Sequence, residues 1–261
     1  MNAAQLAAAS DLLHELWMTG RRIAELPPAL RPSTRAQGYA IQAMIERRSA
    51  TRLFGWKIAA TSVPGQTHIH VDAPLAGRIL AERLIKNGGR CSLRGNRMCV
   101  AELEFAFRMS ADITPRSQPY AMAEVMEHVA TLHPSIEIPD SRFEPFEAAG
   151  AAQLIADNAC AHDFLLGEAS PAAWRGLNLA THEVAGTIDG APLRGSGANV
   201  LGDPRLALTW LANELSRYGA TLRAGEVVTT GTCVVPIRIR KGSCLSGDFG
   251  ILGLVSVSFT E

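Results

Sequence analysis

Residues 98–109 read Met-Cys-Val-Ala-Glu-Leu-Glu-Phe-Ala-Phe-Arg-Met. On a strand, alternate side chains share a face. Leu103, Phe105 and Phe107 would then line one side, and Met98, Val100 and Ala106 the other, together with Glu102 and Glu104. The run predicts a strand covered on both faces with two acids set into it. Two close carboxylates in apolar surroundings repel each other and are poorly solvated, so they either share a proton or hold a cation. Glu137, inside the short apolar run Ile136-Glu137-Ile138, supplies a third acid. Three carboxylates would complete an all-oxygen site of the kind that suits Mg2+ or Mn2+. The competing reading is a half-exposed strand whose acids sit in water, the usual meaning of acids alternating with apolar residues. The apolar neighbours on the glutamate face leave both readings open.

A chain of 261 residues can bury one large core, or one core plus a small appendage. The formal net charge is zero and no basic run occurs, so an electrostatic footprint for nucleic acid is not expected. The first residues lack the positive start and apolar stretch of a signal peptide, and no window approaches a transmembrane span. Cys91, Cys99, Cys160, Cys233 and Cys244 are odd in number and lack metal-type spacing, which fits packing roles in a reduced cytoplasm. Of 25 basic residues only Lys57, Lys86 and Lys241 are lysine. Lys57 lies inside the apolar run Phe54-Gly55-Trp56-Lys57-Ile58-Ala59-Ala60. A desolvated lysine can give up its proton where arginine cannot, making Lys57 a candidate for proton transfer; a lysine that snorkels from a strand end is the alternative.

Periodicity predicts helices at 3–19, from Ser33 or Thr34 to about Arg48, at 121–132 and at 204–218. Strands are predicted at 55–60, 98–109, 134–139, 162–167, 182–189, 226–235 and 251–259. This order gives an N-terminal helical region, 1–54, followed by a β-rich domain, 55–261, in an α+β fold. The glycines at 195, 197 and 202 lack dinucleotide-loop spacing and read as a surface loop.

Several strings stand in a recognisable order: Gly55-Trp56-Lys57-Ile58, Glu102-Leu103-Glu104, Ile136-Glu137-Ile138-Pro139-Asp140-Ser141-Arg142, Ile155-Ala156-Asp157-Asn158-Ala159, Leu211-Ala212-Asn213-Glu214-Leu215 and Gly225-Glu226-Val227-Val228-Thr229-Thr230-Gly231-Thr232. Together they resemble the 2-keto-4-pentenoate hydratase / 4-oxalocrotonate decarboxylase branch of the fumarylacetoacetate hydrolase superfamily, over nearly the whole chain. The resemblance implies a rolled, mixed β-sheet core with peripheral helices, assembled as a homo-oligomer, dimeric or larger. It implies that Glu102, Glu104 and Glu137 bind one Mg2+ or Mn2+, that Lys57 is the active-site lysine, and that Asp157, Asn158 and Thr230 lie near substrate.

Two departures bear on chemistry. Pro74-Leu75-Ala76-Gly77 stands where many hydratases carry an aspartate after the proline, and Cys160 replaces a frequent serine. His68, spaced like a strand neighbour of His70, is the candidate replacement base. Arg142 could pair with Asp140 or meet a distal substrate carboxylate. The activity implied is addition of water to a 2-hydroxy-2,4-dienoate to give a 4-hydroxy-2-oxo acid, in aromatic catabolism. Decarboxylation of a 4-oxalocrotonate-type acid, hydrolysis of acylpyruvates and an inactive partner subunit are the alternatives.

Overall fold

Asn2 caps the first helix reciprocally with Gln5, each side chain meeting the other's backbone N–H at 2.9 Å, and Gly20 ends it in the left-handed region at φ 69°. That helix, α1 (Ala3–Thr19), buries Ala9, Leu13 and Leu16. Helix α2 (Arg35–Ala43) is capped by Thr34 and runs on as a tighter turn to Arg48. The computed structural model describes residues 1–171 and 173–261.

Strand β1 (Gly55–Ala59), helix α3 (Val63–His68) and strands β2 (Leu75–Ile79), β3 (Leu84–Ile85), β4 (Arg90–Ser92) and β5 (Val100–Met109) follow. Helix α4 (Met122–Glu127), strand β6 (Val129–Ile138), helix α5 (Ala151–Ala156) and strands β7 (Asp163–Leu166), β8 (Glu183–Ile188) and β9 (Ala191–Ser196) come next. Helix α6 (Pro204–Arg217) precedes β10 (Val227–Thr232), β11 (Ile237–Arg238), β12 (Cys244–Asp248) and β13 (Leu254–Thr260). One mixed sheet runs β2-β1-β10-β5-β6-β7-β3, with β11 also on β5; a second runs β4-β13-β12-β8-β9. The fold is α+β, with mixed sheets flanked by helices.

The sheets meet at β5. A Cβ on Gly247 of β12 would lie 2.7 Å from Leu103 Cδ2, so the second sheet approaches as closely as glycine allows. Phe105, on the same face as Leu103, packs its edge against Phe249 at 5.2 Å. On the glutamate face, Ala106 joins Ile79, Phe164 and Val227 in a separate buried group. Residues 100–109 are thus covered on both sides. Among the described residues no helix is long and apolar enough to cross a membrane.

Three expectations need correction. The helix placed at 121–132 stops at Glu127, and β6 begins at Val129. Val129 and Thr131 are β-branched, and pairing with β5 from Met109↔Val129 to Glu102↔Glu137 outweighs the local helical pattern. The glycine segment near 195 is not all loop, because β9 extends to Ser196. Gly195 is needed there: its Cβ would sit 2.0 Å from the Cys233 carbonyl oxygen. His68 and His70 do not share a strand face. His68 ends α3, which Ser62 caps by accepting from Gly65 N at 3.1 Å, and His70 is left-handed at φ 54°.

Candidate metal centre and active site

Register brings the acids together. Glu102 on β5 faces Glu137 on β6 as a direct cross-strand pair, and Glu104 stands two residues along β5 on the same face. One carboxylate oxygen from each of the three lies within 4.8 Å of the others. Oxygens bound to one small divalent ion at about 2.1 Å are at most roughly 4.2 Å apart, so slight closing would seat it. Glu104 and Glu137 are buried, and Glu102 is half-buried.

The free atoms test the fit. Glu104 Oε2 accepts from Thr229 Oγ1 and from Gly231 N at 2.8 Å, while Oε1 is buried with no hydrogen-bond partner. Glu137 Oε1 forms an ion pair with Lys57 Nζ at 2.9 Å, while Oε2 is buried without a partner. Buried polar atoms are rarely left bare, and three clustered acids, two of them carrying unspent oxygens, fit a hard divalent cation.

Electrostatics agree. Burial pushes the Glu104 carboxyl well above its usual range, and the Glu137 and Glu102 charges add to the shift. Burial also carries Glu137 up to about 7, against the opposing pull of the Lys57 ammonium. For Lys57, burial acts to lower the pKa, but the Glu137 and Glu102 carboxylates outweigh it and hold the ammonium charged.

A pH dependence follows. A carboxyl whose pKa is higher folded than unfolded holds a proton that the unfolded chain has released, so stability is lost as pH rises through that window. For Glu137 the window runs from the ordinary glutamate value of 4.5 to about 7, and at about 1.4 kcal/mol per pH unit the loss is on the order of a few kcal/mol. Glu104→Gln removes one of the three charges. In metal-free protein its melting temperature should therefore gain on the parent's by a few degrees between pH 5 and pH 8. Mg2+ should raise the parent's melting temperature more at pH 8 than at pH 5 and leave the variant's unchanged. A difference that stays flat with pH would count against a buried, mutually repelling cluster.

Lys57 Nζ also donates to the Ala159 carbonyl at 3.0 Å. That carbonyl sits in a left-handed turn of three consecutive non-glycine residues, Asn158, Ala159 and Cys160, at φ 57°, 49° and 62°. Such a conformation persists only where its surroundings hold it. Asp157 accepts from Ser141 Oγ at 2.7 Å and Arg142 N at 2.9 Å, and pairs with the Arg142 guanidinium. Asn158 pins β2 by accepting from Arg78 N at 2.7 Å and donating to Arg78 O at 2.8 Å. Gly77 leaves room for the turn: its Cβ would lie 2.3 Å from the Asn158 carbonyl oxygen and 3.1 Å from Lys57 Cδ.

The structure therefore gathers Glu102, Glu104, Glu137 and Lys57, and sets Asp157 and Asn158 in the turn behind Lys57 with their side chains engaged inside the protein. Thr230 points the other way, donating to the Phe105 carbonyl at 2.9 Å. Its neighbour Thr229, overlooked in the sequence, is the one that reaches Glu104, because the β1–β10 register aligns Thr229 with Lys57. His68 has a largely exposed side chain whose contacts run to Glu147 at 3.8 Å and the Phe146 ring. Arg142 is buried on Asp157, whereas Asp140 pairs with Arg22, so the choice framed for Arg142 resolves to neither option. Leu75 is buried at the start of β2, and burial pushes the Cys160 thiol up to about 12.

No family model matches the chain. It is 30% identical over 260 residues to the 2-keto-4-pentenoate hydratase of Burkholderia vietnamiensis, covering 98% of each chain. It is 31% identical over 256 residues to 2-keto-4-pentenoate hydratase 1 of Dechloromonas aromatica, covering 97% of this chain and 96% of that one. Among solved structures, 4-oxalocrotonate decarboxylase from Pseudomonas putida G7, complexed with magnesium and adipate, superposes with a TM-score of 0.90 at 24% identity, covering 99% and 98%. The identity to curated hydratases over nearly the whole chain leads to one placement: the chain belongs to the 2-keto-4-pentenoate hydratase family.

Proposed function

We propose that the chain is a metal-dependent hydratase that adds water to a 2-hydroxy-2,4-dienoate, giving a 4-hydroxy-2-oxo acid, in aromatic catabolism. Glu102, Glu104 and Glu137 would hold Mg2+ or Mn2+. The observation that carries this reading is the buried three-carboxylate cluster, with bare oxygens on two of its members, beside the Lys57 ammonium. When bound, a divalent ion supplies positive charge that attracts the substrate's carboxylate and 2-oxygen and favours electron withdrawal from the diene.

Lys57 supplies the proton traffic. Two of its contacts are Glu137 and the Ala159 carbonyl, which leaves a third N–H for substrate. Its ammonium donates a proton to the far carbon of the diene and the resulting amine takes up the 2-hydroxyl proton, giving the conjugated 2-oxo-3-enoate and restoring the ammonium. Water then adds at C4 and a proton at C3. Glu137, paired with Nζ, orients the ammonium and stabilises its charge. The Asp157–Cys160 turn acts through its backbone, fixing the carbonyl that aims Lys57. His68 faces Glu147 and has no part in this sequence. The assembly proposed is a homo-oligomer, and the compartment the cytoplasm, in keeping with five free cysteines.

The test is incubation with 2-hydroxypenta-2,4-dienoate, following loss of dienol absorbance and gain of one water in the product mass. Chelation should stop turnover, and Mg2+ or Mn2+ should restore it. Activity that survives exhaustive chelation ends the metal reading. Release of carbon dioxide from 4-oxalocrotonate, with no hydration of the pentadienoate, moves the chain to the decarboxylase side.

A further inference from the structure

Glu104 is oriented by a buried chain of hydroxyls. Thr229 Oγ1 donates to Glu104 Oε2, which Gly231 N also reaches at 2.8 Å. Thr229 Oγ1 lies 3.2 Å from Ser135 Oγ, and Ser135 Oγ donates to the Glu104 carbonyl at 3.0 Å. Glu104, Thr229 and Ser135 are each 0% exposed. Only glycine fits at 231, which is left-handed at φ 103° and whose Cβ position lies 1.9 Å from Thr61 Oγ1. Two donors therefore hold one oxygen of Glu104, and only Oε1 is left bare.

We propose that Thr229 is a positioning residue that keeps Glu104 a one-oxygen ligand and so biases the site toward small octahedral cations over Ca2+. This rests on the metal reading above. Mg2+ requires near-ideal octahedral geometry, which single-oxygen ligands and water satisfy. Ca2+ takes more oxygens and readily accepts both from one carboxylate. With Oε2 held by both Thr229 and Gly231, Glu104 is kept from swinging to offer both oxygens. Removing the hydroxyl leaves the Gly231 N–H as the single donor on Oε2 and loosens that hold.

Titration calorimetry on metal-stripped protein tests this with Mg2+ and Ca2+ separately, alongside Mn2+ titration followed by electron paramagnetic resonance. Thr229→Val keeps the shape and loses the hydroxyl; Thr229→Ser keeps the hydroxyl. Thr229→Val should weaken Mg2+ and Mn2+ by about tenfold or more. It should change Ca2+ binding by less than about threefold, because the second oxygen offsets the lost orientation. Thr229→Ser should restore the parent's selectivity. If Thr229→Val proves unstable, Thr229→Ala makes the same comparison. Equal weakening of all three ions, or unchanged binding, overturns the role given to Thr229. A parent that binds none of them overturns the metal reading itself, which the Glu104→Gln control, expected to bind none, separates from a change in selectivity.

Discussion

Glu137→Gln is expected to lower metal-dependent kcat/KM by about a thousandfold or more while leaving the chain folded. Glutamine keeps the shape of glutamate and loses its charge. One oxygen of Glu137 meets Lys57 at 2.9 Å and the other is bare and buried, so both ends of the carboxylate are in use by the proposed chemistry. Whichever way the amide turns, its NH2 group faces either the Lys57 ammonium or the position of a cation, and both are donor-to-cation contacts. Stability should move the other way. The metal-free cluster gathers three mutually repelling carboxylates against one ammonium, and Glu137 is pushed up to about 7 chiefly by its burial. Removing its charge should leave the melting temperature at pH 8 unchanged or higher. Kinetics with saturating Mg2+, metal content by mass spectrometry and melting temperature together read the outcome. A kcat/KM within about tenfold of the parent's would sink Glu137 as a ligand.

What the sequence disclosed followed the range of its interactions. The strand at 100–109 was legible because period-2 alternation is local and unbroken there. That Glu137 sits opposite Glu102 was not, because strand register across a separation of this kind is set by the whole sheet. The insertion of β10 between β1 and β5 is likewise non-local, yet it puts Thr229 beside Lys57 and Glu104. Parity alone puts Thr229 and Thr230 on opposite faces, and the register of β10 decides that Thr229 is the one beside the glutamates. The spacing of His68 and His70 suggests strand neighbours, although Ser62 followed by Val63-Pro64 is a helix start. The left-handed turn at 158–160 contains no glycine, so nothing local announced it; the Arg142–Asp157 pair and the Asn158–Arg78 contacts impose it. Strands as short as β3 and β11 hold too few residues for any period to show.

Lys57→Met carries the second large effect, a fall in kcat of about a thousandfold with divalent-ion affinity retained or increased. Methionine fills a similar stem and cannot donate a proton. The side chain is 3% exposed, so no solvent lysine or bulk water replaces it at once. Loss of the ammonium leaves the three carboxylates without their internal counter-charge, which should tighten binding of a divalent ion and destabilise the metal-free form as pH rises. A merely structural lysine predicts the reverse pattern: loss of metal or of fold, with little intrinsic effect on kcat once metal is restored. Lys57→Arg separates charge from proton transfer. Arginine keeps the positive charge but holds its proton, and its side chain must run past Gly77, where a Cβ would already lie 3.1 Å from the lysine stem. If Lys57 acts through its proton, the arginine variant should bind metal and remain as inactive as the methionine variant. If it retained kcat within about tenfold of the parent's, the residue would be acting by charge alone, and proton donation to the diene would have to come from elsewhere.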